Sequence, residues 1–298
     1  MKAMVYHGPG DARWEEVPDP QIQDPTDAIV TIETTTICGT DLHILKGDVP
    51  AVTEGRILGH EGVGVVTEVG PECTEVKVGD RVIVSCVTTC MDCDYCRGGL
   101  TSHCQTVGGI GWIFGQVAEG DTLLVVGAGP VGLSAIMTAK TRGAKTVIAV
   151  DGNEFRLEAA REFGADEVFT PGEGTLEKVK ALTADGLGVD VAMEAVGIPA
   201  TFTLCLDAIR PGGRVANLGV HGKPVEFPID REWINNITIT TGLVNATTAP
   251  ELLGRISEGS IQPERFVTHR FTFDEWEKAY ATFSDAAEQK ALKVIVTA

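Results

Sequence analysis

The chain has 298 residues, 43% of them hydrophobic, with 24 basic against 42 acidic side chains and a formal net charge of −18. That length suits two domains of about 100–200 residues each, and so acidic a surface repels phosphate backbones, which argues against nucleic acid as a partner. No run of about 18 apolar residues marks a membrane helix. MKAMVYHGPGDARWEEV has no apolar stretch beside its lysine to read as a signal peptide, so a cytoplasmic protein with no membrane partner is expected.

The first part of the chain alternates β-branched runs with Gly and Pro: AIVTIETTTI, EGVGVVTEVG and DRVIVSCV. These read as strands of a twisted, mostly antiparallel barrel. From Asp121 the rhythm changes to strand–helix alternation. TLLVVG, TVIAVD, DEVF, VDVAMEAVG, RVANLG and ITITTGL are predicted strands. GPVGLSAIMTAKTRG, EFRLEAAREFG, LEKVKALTA and PATFTLCLDAIR are the helices between the first five of them. Such spacing predicts βαβ units, hence a parallel sheet covered by helices on both faces. A helix over PELLGRISEG and a closing strand KVIVT complete the chain.

Eight cysteines in a reducing context point to metal or thiol chemistry rather than to disulfides. CMDCDYCRGGLTSHC places Cys90, Cys93, Cys96 and Cys104 at C-x2-C-x2-C-x7-C. Four thiolates at this loop spacing surround one zinc ion and leave no position for substrate, which describes a structural site. Cys73, Cys86 and Cys205 fit no ligand spacing and read as buried. Trp112 and Phe114 read as packing near a turn, with a substrate-pocket wall as the second reading. Trp233 and Trp276 read as packing.

GAGPVG, from Gly127 through Gly129, Pro130 and Val131 to Gly132, follows a strand and opens a helix, the context in which G-x-G-x-x-G holds a dinucleotide. Its first glycine permits the tight turn, the second lets the backbone approach a pyrophosphate, and the third allows close packing of helix on strand. Asp151 ends the next strand, where a carboxylate binds ribose hydroxyls and repels a 2′-phosphate, so NAD is expected over NADP. Arg156 is placed to stack over the adenine. In ICGTDLH and LGHEGVG, Cys38 and His60 offer a thiolate and an imidazole, both suited to zinc. Thr40 carries a hydroxyl able to bond an alcohol and pass its proton towards His43, and Asp41 can orient His60.

These motifs stand in one order, with EAVG at 194–197 and the tail THRFTFDEWEKAYATF after them. In that set the chain resembles the zinc-dependent alcohol dehydrogenases of the medium-chain dehydrogenase/reductase superfamily over nearly its whole length. The resemblance implies an α/β protein with a GroES-like β-barrel catalytic domain and a Rossmann domain, a doubly wound parallel sheet. Residues 1–115 and 246–298 would form the first, with a structural zinc lobe at 86–108, and residues 116–245 would bind NAD. It also implies Cys38 and His60 as ligands of a catalytic zinc, Glu61 as a carboxylate able to swing onto that metal, and Thr40 and His43 as a proton relay. Val131, Val196 and Val220 would cover the nicotinamide face.

In the family, several tens of residues separate the GGxGWIFG-like segment from the cofactor domain and usually supply the third protein ligand of the catalytic zinc. Here Gly115 leads through QVAEGD into TLLVVG. Six residues span at most about 20 Å, so restricted hinge closure is expected. Glu61 is the first candidate for the third ligand, ahead of Asp41 or a residue of a second subunit. The loss should also uncover apolar surface that an oligomer can cover. The family's habit of pairing through the last strand of the cofactor sheet, here ITITTGL, implies a homodimer or homotetramer. The function so implied is reversible, NAD-dependent oxidation of a primary or secondary alcohol at a shortened, more open site. The alternatives are an NAD-binding protein that keeps the structural zinc without catalysis, and an enzyme for a bulkier alcohol, a polyol or an aldehyde.

Overall fold

The computed structural model describes residues 1–98, 101, 104, 117–242 and 248–298. They gather into two compact units, Met1–Cys86 with Arg265–Ala298, and Val87–Glu264.

The first unit opens with a hairpin of β1 (Lys2–Gly8) and β2 (Asp11–Glu16). It continues with β3 (Ala28–Thr36), helix α1 (Gly39–Lys46), β4 (Val63–Val69) and the short β5 (Arg81–Ile83). β3, β4 and β5 pair antiparallel in chain order, as expected of β-branched runs separated by turns. Helix α1 gives no clear periodic signal in the sequence, because its apolar residues are few. It ends at Gly47, whose φ of 82° is a left-handed cap that glycine adopts freely.

The second unit begins with α2 (Asp94–Arg97) in the cysteine-rich lobe. Then follow β6 (Thr122–Val126), α3 (Pro130–Thr141), β7 (Thr146–Val150), α4 (Glu154–Phe163), β8 (Glu167–Phe169), α5 (Thr175–Ala181) and β9 (Val189–Glu194). α6 (Pro199–Ala208), β10 (Ile209–Asn217), α7 (Ile229–Glu232), β11 (Thr238–Thr241) and α8 (Ala249–Ser257) complete it. The six strands lie parallel in the order β8-β7-β6-β9-β10-β11. Counted in chain order this is 3-2-1-4-5-6, the doubly wound dinucleotide-binding arrangement, with its crevice at the carboxyl ends of β6 and β9. All five residues of β6 are buried, as a central strand covered on both faces requires. Asn153 caps α4 by accepting from the Arg156 N–H, and Gly164 ends it at φ 114°.

The chain then returns to the first unit. β12 (Val267–Thr272), α9 (Trp276–Ser284) and β13 (Lys293–Thr297) follow, and β13 pairs antiparallel with β3, Ile295 opposite Thr36. Met4, Tyr6, Ile37, Trp276, Tyr280, Val294 and Val296 share one buried core there. The N-terminal and C-terminal segments therefore fold as one body.

Two readings are corrected. Trp233, expected as packing, is 70% exposed at the end of the single-turn helix α7, while Trp276 is buried as expected. Of the three cysteines expected to be buried, Cys86 is exposed and Cys73 is half-buried, whereas Cys205 is buried beneath β9 and β10. Trp112 and Phe114 lie outside the described residues. Among the described residues, no helix is long and apolar enough to cross a membrane.

Candidate active site

In the first unit, the turn into α1 and the segment before β4 bring three donors together. Cys38 Sγ, an imidazole nitrogen of His60 and a carboxylate oxygen of Glu61 lie within 4.8 Å of one another. A thiolate, an imidazole and a carboxylate fit zinc by ligand type. Asp41, buried on the first turn of α1, does two things: its Oδ2 accepts the Cys38 N–H at 2.9 Å, and its Oδ1 stands 3.4 Å from His60 Nδ1. This leaves His60 Nε2 for a metal, the orientation that a carboxylate behind a ligating histidine imposes.

Cys38 and His60 shift one another electrostatically. The Asp41 carboxylate, with Cys38 behind it, holds His60 up to about 10 against the opposing effect of burial. Burial pushes the Cys38 thiol up, but its hydrogen bond with His60, helped by the charge of Lys293, outweighs this and leaves it below the usual thiol value.

Glu61 has two other partners. Lys293 Nζ on β13 donates to its Oε2 at 2.5 Å, and Thr36 Oγ1 donates to the same oxygen. Tyr280 on α9 stands close enough to feel Asp41 and Cys38, and burial first, then those charges, keep its phenol protonated. Sequence spacing gives no sign of Thr36, Tyr280 or Lys293, because only strand register and the packing of α9 bring them here.

Thr40 and His43 lie three residues apart on α1, hence on one face of the helix. Thr40 Oγ1 is 3.8 Å from Cys38 Sγ. His43 Nδ1 is 2.9 Å from Asp48 Oδ2.

In the second unit, Gly127 has φ 98°, and a Cβ on Gly132 would stand 1.8 Å from the Gly127 carbonyl oxygen. Glycine is therefore required at both positions. Gly129 caps α3 and Pro130 takes its first position, so the free N–H groups of the first turn face the crevice. Asp151 braces the turn: Ala128 N–H donates to its Oδ2 at 2.7 Å and Asn153 N–H to its Oδ1 at 2.8 Å, with Arg156 Nη1 4.0 Å away. Each carboxylate oxygen keeps a further lone pair for a ribose hydroxyl. Val131 and Val196 are exposed, at 47% and 37%, and a Cβ on Gly127 would touch Val196. Gly197 packs against the backbone of Val220 in the same way. The glycine turn, Val196 and Val220 thus share one apolar-rimmed edge.

The sequence shows Glu194 only as part of a motif; the structure makes it the support of that edge. Its buried Oε1 accepts from Val196 N–H, Gly197 N–H and Thr201 Oγ1 at 2.7–2.9 Å. Its main-chain oxygen accepts from Leu218 and Gly219.

The sulfurs of Cys90, Cys93, Cys96 and Cys104 form a second cluster within 4.8 Å. Zn–S bonds of about 2.3 Å put tetrahedral sulfurs about 3.8 Å apart, and Cys90 and Cys96 are 4.0 Å apart. Backbone N–H groups of Cys90 and Cys93 point at Cys104 and Cys90 sulfurs, both at 3.3 Å, as thiolates require. Four cysteines fit zinc.

A glycine-turn parallel sheet joined in one chain to a thiolate–imidazole cluster defines a metal-binding dehydrogenase of two-domain build. Residues 24–128 match the alcohol dehydrogenase GroES-like domain, and residues 130–258 match the zinc-binding dehydrogenase domain. The chain belongs to the zinc-dependent alcohol dehydrogenases of the medium-chain dehydrogenase/reductase superfamily, a family of oxidoreductases. It is similar to an alcohol dehydrogenase of Cupriavidus necator, 31% identical over 352 aligned positions that cover 96% of this chain and 95% of the relative. A solved zinc-dependent alcohol dehydrogenase 2 from Streptococcus pneumonia, in apo form, is 44% identical with a TM-score of 0.95, covering 100% of this chain and 98% of the other. An alcohol dehydrogenase from E. coli CFT073, solved with NADH, is 26% identical with a TM-score of 0.86, covering 100% and 99%.

Proposed function

We propose that this chain is an NAD-dependent alcohol dehydrogenase that interconverts a primary or secondary alcohol and its aldehyde or ketone at a shortened, more open site. The convergence of Cys38, His60 and Glu61 carries the reading, because a chain kept for nucleotide binding alone has no use for that cluster. The shortening is supported by an alignment of 352 positions with a relative against only 298 residues here. Preference for NAD rests on Asp151, whose charge repels a 2′-phosphate, and is in keeping with the NADH-bound neighbour.

Bound at these sites, zinc supplies Lewis acidity that favours ionisation of the alcohol, and NAD supplies the hydride acceptor. The chain's own residues do the rest. Cys38 and His60 hold the metal, and Asp41 fixes the imidazole. The Thr40 hydroxyl accepts the alcohol's hydrogen bond and moves its proton towards His43, whose Nδ1 is fixed by Asp48. The first turn of α3 binds pyrophosphate, Asp151 the ribose, and Arg156 the adenine. Val131, Val196 and Val220 pack on the nicotinamide and exclude water. Assembly as a homodimer or homotetramer through the edge strand β11 is part of the same reading.

The test is zinc content together with turnover. Dialysed protein should retain two zinc ions per chain and reduce NAD with a panel of alcohols. One zinc per chain and no turnover across the panel would favour the non-catalytic NAD-binding reading, which the commitment of Glu61 to Lys293 supports.

A further inference from the structure

Catalytic zinc takes three protein ligands and keeps one position open. Cys38 and His60 supply two. The third donor of the cluster, Glu61, is already held, since its Oε2 accepts from Lys293 Nζ at 2.5 Å and from Thr36. A metal competing for that oxygen would weaken the counter-charge of an ammonium group that is only 19% exposed, which is costly, so Glu61 keeps only Oε1 for ligation while it stays paired.

A second sulfur lies on the neighbouring strand. β5 runs antiparallel to β4, with Gly64 opposite Val82 and Val63 opposite Ile83. Val84 N–H donates to Gly62 O at 2.8 Å, which carries the pairing one step further. Extended two residues past its last hydrogen bond, that register would set Cys86 opposite His60.

We propose that Cys86 is the third protein ligand of the ion held by Cys38 and His60, with Glu61 remaining paired to Lys293. The proposal rests on the reading of Cys38 and His60 as metal ligands. Cys86 is not among the donors gathered within 4.8 Å, so ligation turns its side chain towards His60, and the side chain is exposed, so little packing opposes the turn. On binding, the Cys86 thiol gives its proton to solvent and His60 ligates as neutral imidazole. Two thiolates and one imidazole form a set in which zinc keeps its fourth position open.

The test is 113Cd NMR of the full chain loaded with cadmium, in which each thiolate ligand moves the resonance to higher frequency. Two resonances are expected, one from the four-cysteine site and one from the mixed site. Cys86→Ser should move only the second, to lower frequency, and lower that site's cadmium affinity tenfold or more, whereas Glu61→Gln should leave its frequency range unchanged. A second resonance that ignores Cys86→Ser, or that responds to Glu61→Gln instead, overturns the proposal. A wild-type spectrum with the four-cysteine resonance alone removes the Cys38–His60 reading itself, and the proposal with it.

Discussion

Lys293 and Glu61 stand 232 positions apart in the chain, and their side chains meet at 2.5 Å. β13 carries the lysine, and its pairing with β3 is what delivers it to the segment that also bears His60. The ion pair ties the C-terminal return of the chain to the cluster of Cys38, His60 and Glu61, so it links folding of the first unit to assembly of that cluster.

Lys293→Met should therefore destabilise the protein by about 1–3 kcal/mol, between the values for exposed and fully buried pairs, since both side chains are at most 30% exposed. Denaturant unfolding of Lys293→Met, Glu61→Gln and the double variant checks this. Additive losses in the two single variants would show that the pair contributes nothing jointly.

Glu194 sits fully buried with three donors on one carboxylate oxygen, and a Cβ on Gly219 would lie 2.4 Å from the other. Removing the acceptor in Glu194→Ala strands those donors, which costs at least about 2 kcal/mol and frees the turn bearing Val196. The KM for NAD should rise while zinc content stays unchanged. Unaltered KM in a folded variant would show that the turn holds its shape without the carboxylate.

Asp151 braces the glycine turn and, in the proposed function, also binds ribose. Asp151→Ala should weaken NAD binding about tenfold to a hundredfold, the worth of one or two charge-assisted hydrogen bonds. Titration calorimetry with NAD and NADP measures both. The loss should be smaller for NADP, because the repulsion of its 2′-phosphate goes with the carboxylate. Equal losses would mean that only the bracing role is real.

Thr40→Ala should lower kcat by about 10²–10⁴, the usual range for a lost proton-transfer group, with zinc content and NAD affinity retained. Thr40→Ser should recover most of the rate. Full turnover in the alanine variant would remove the hydroxyl from the reaction.

Features that depend on near neighbours in the chain are legible in the sequence by itself. The glycine turn after a buried strand, the acid closing the next strand and the spacing of four cysteines each lie within a few dozen residues, and local backbone geometry dictates what they can do. Strand–helix alternation leads in the same way to the doubly wound sheet, and ligand type singles out Cys38 and His60. The tertiary structure alone decides which distant groups surround them. Lys293, Thr36 and Tyr280 reach the cluster through the pairing of β13 with β3 and the packing of α9. Strand register is a global property, set by which apolar faces must be buried together, and a shift of one residue would turn the strand-borne side chains among these to the opposite face.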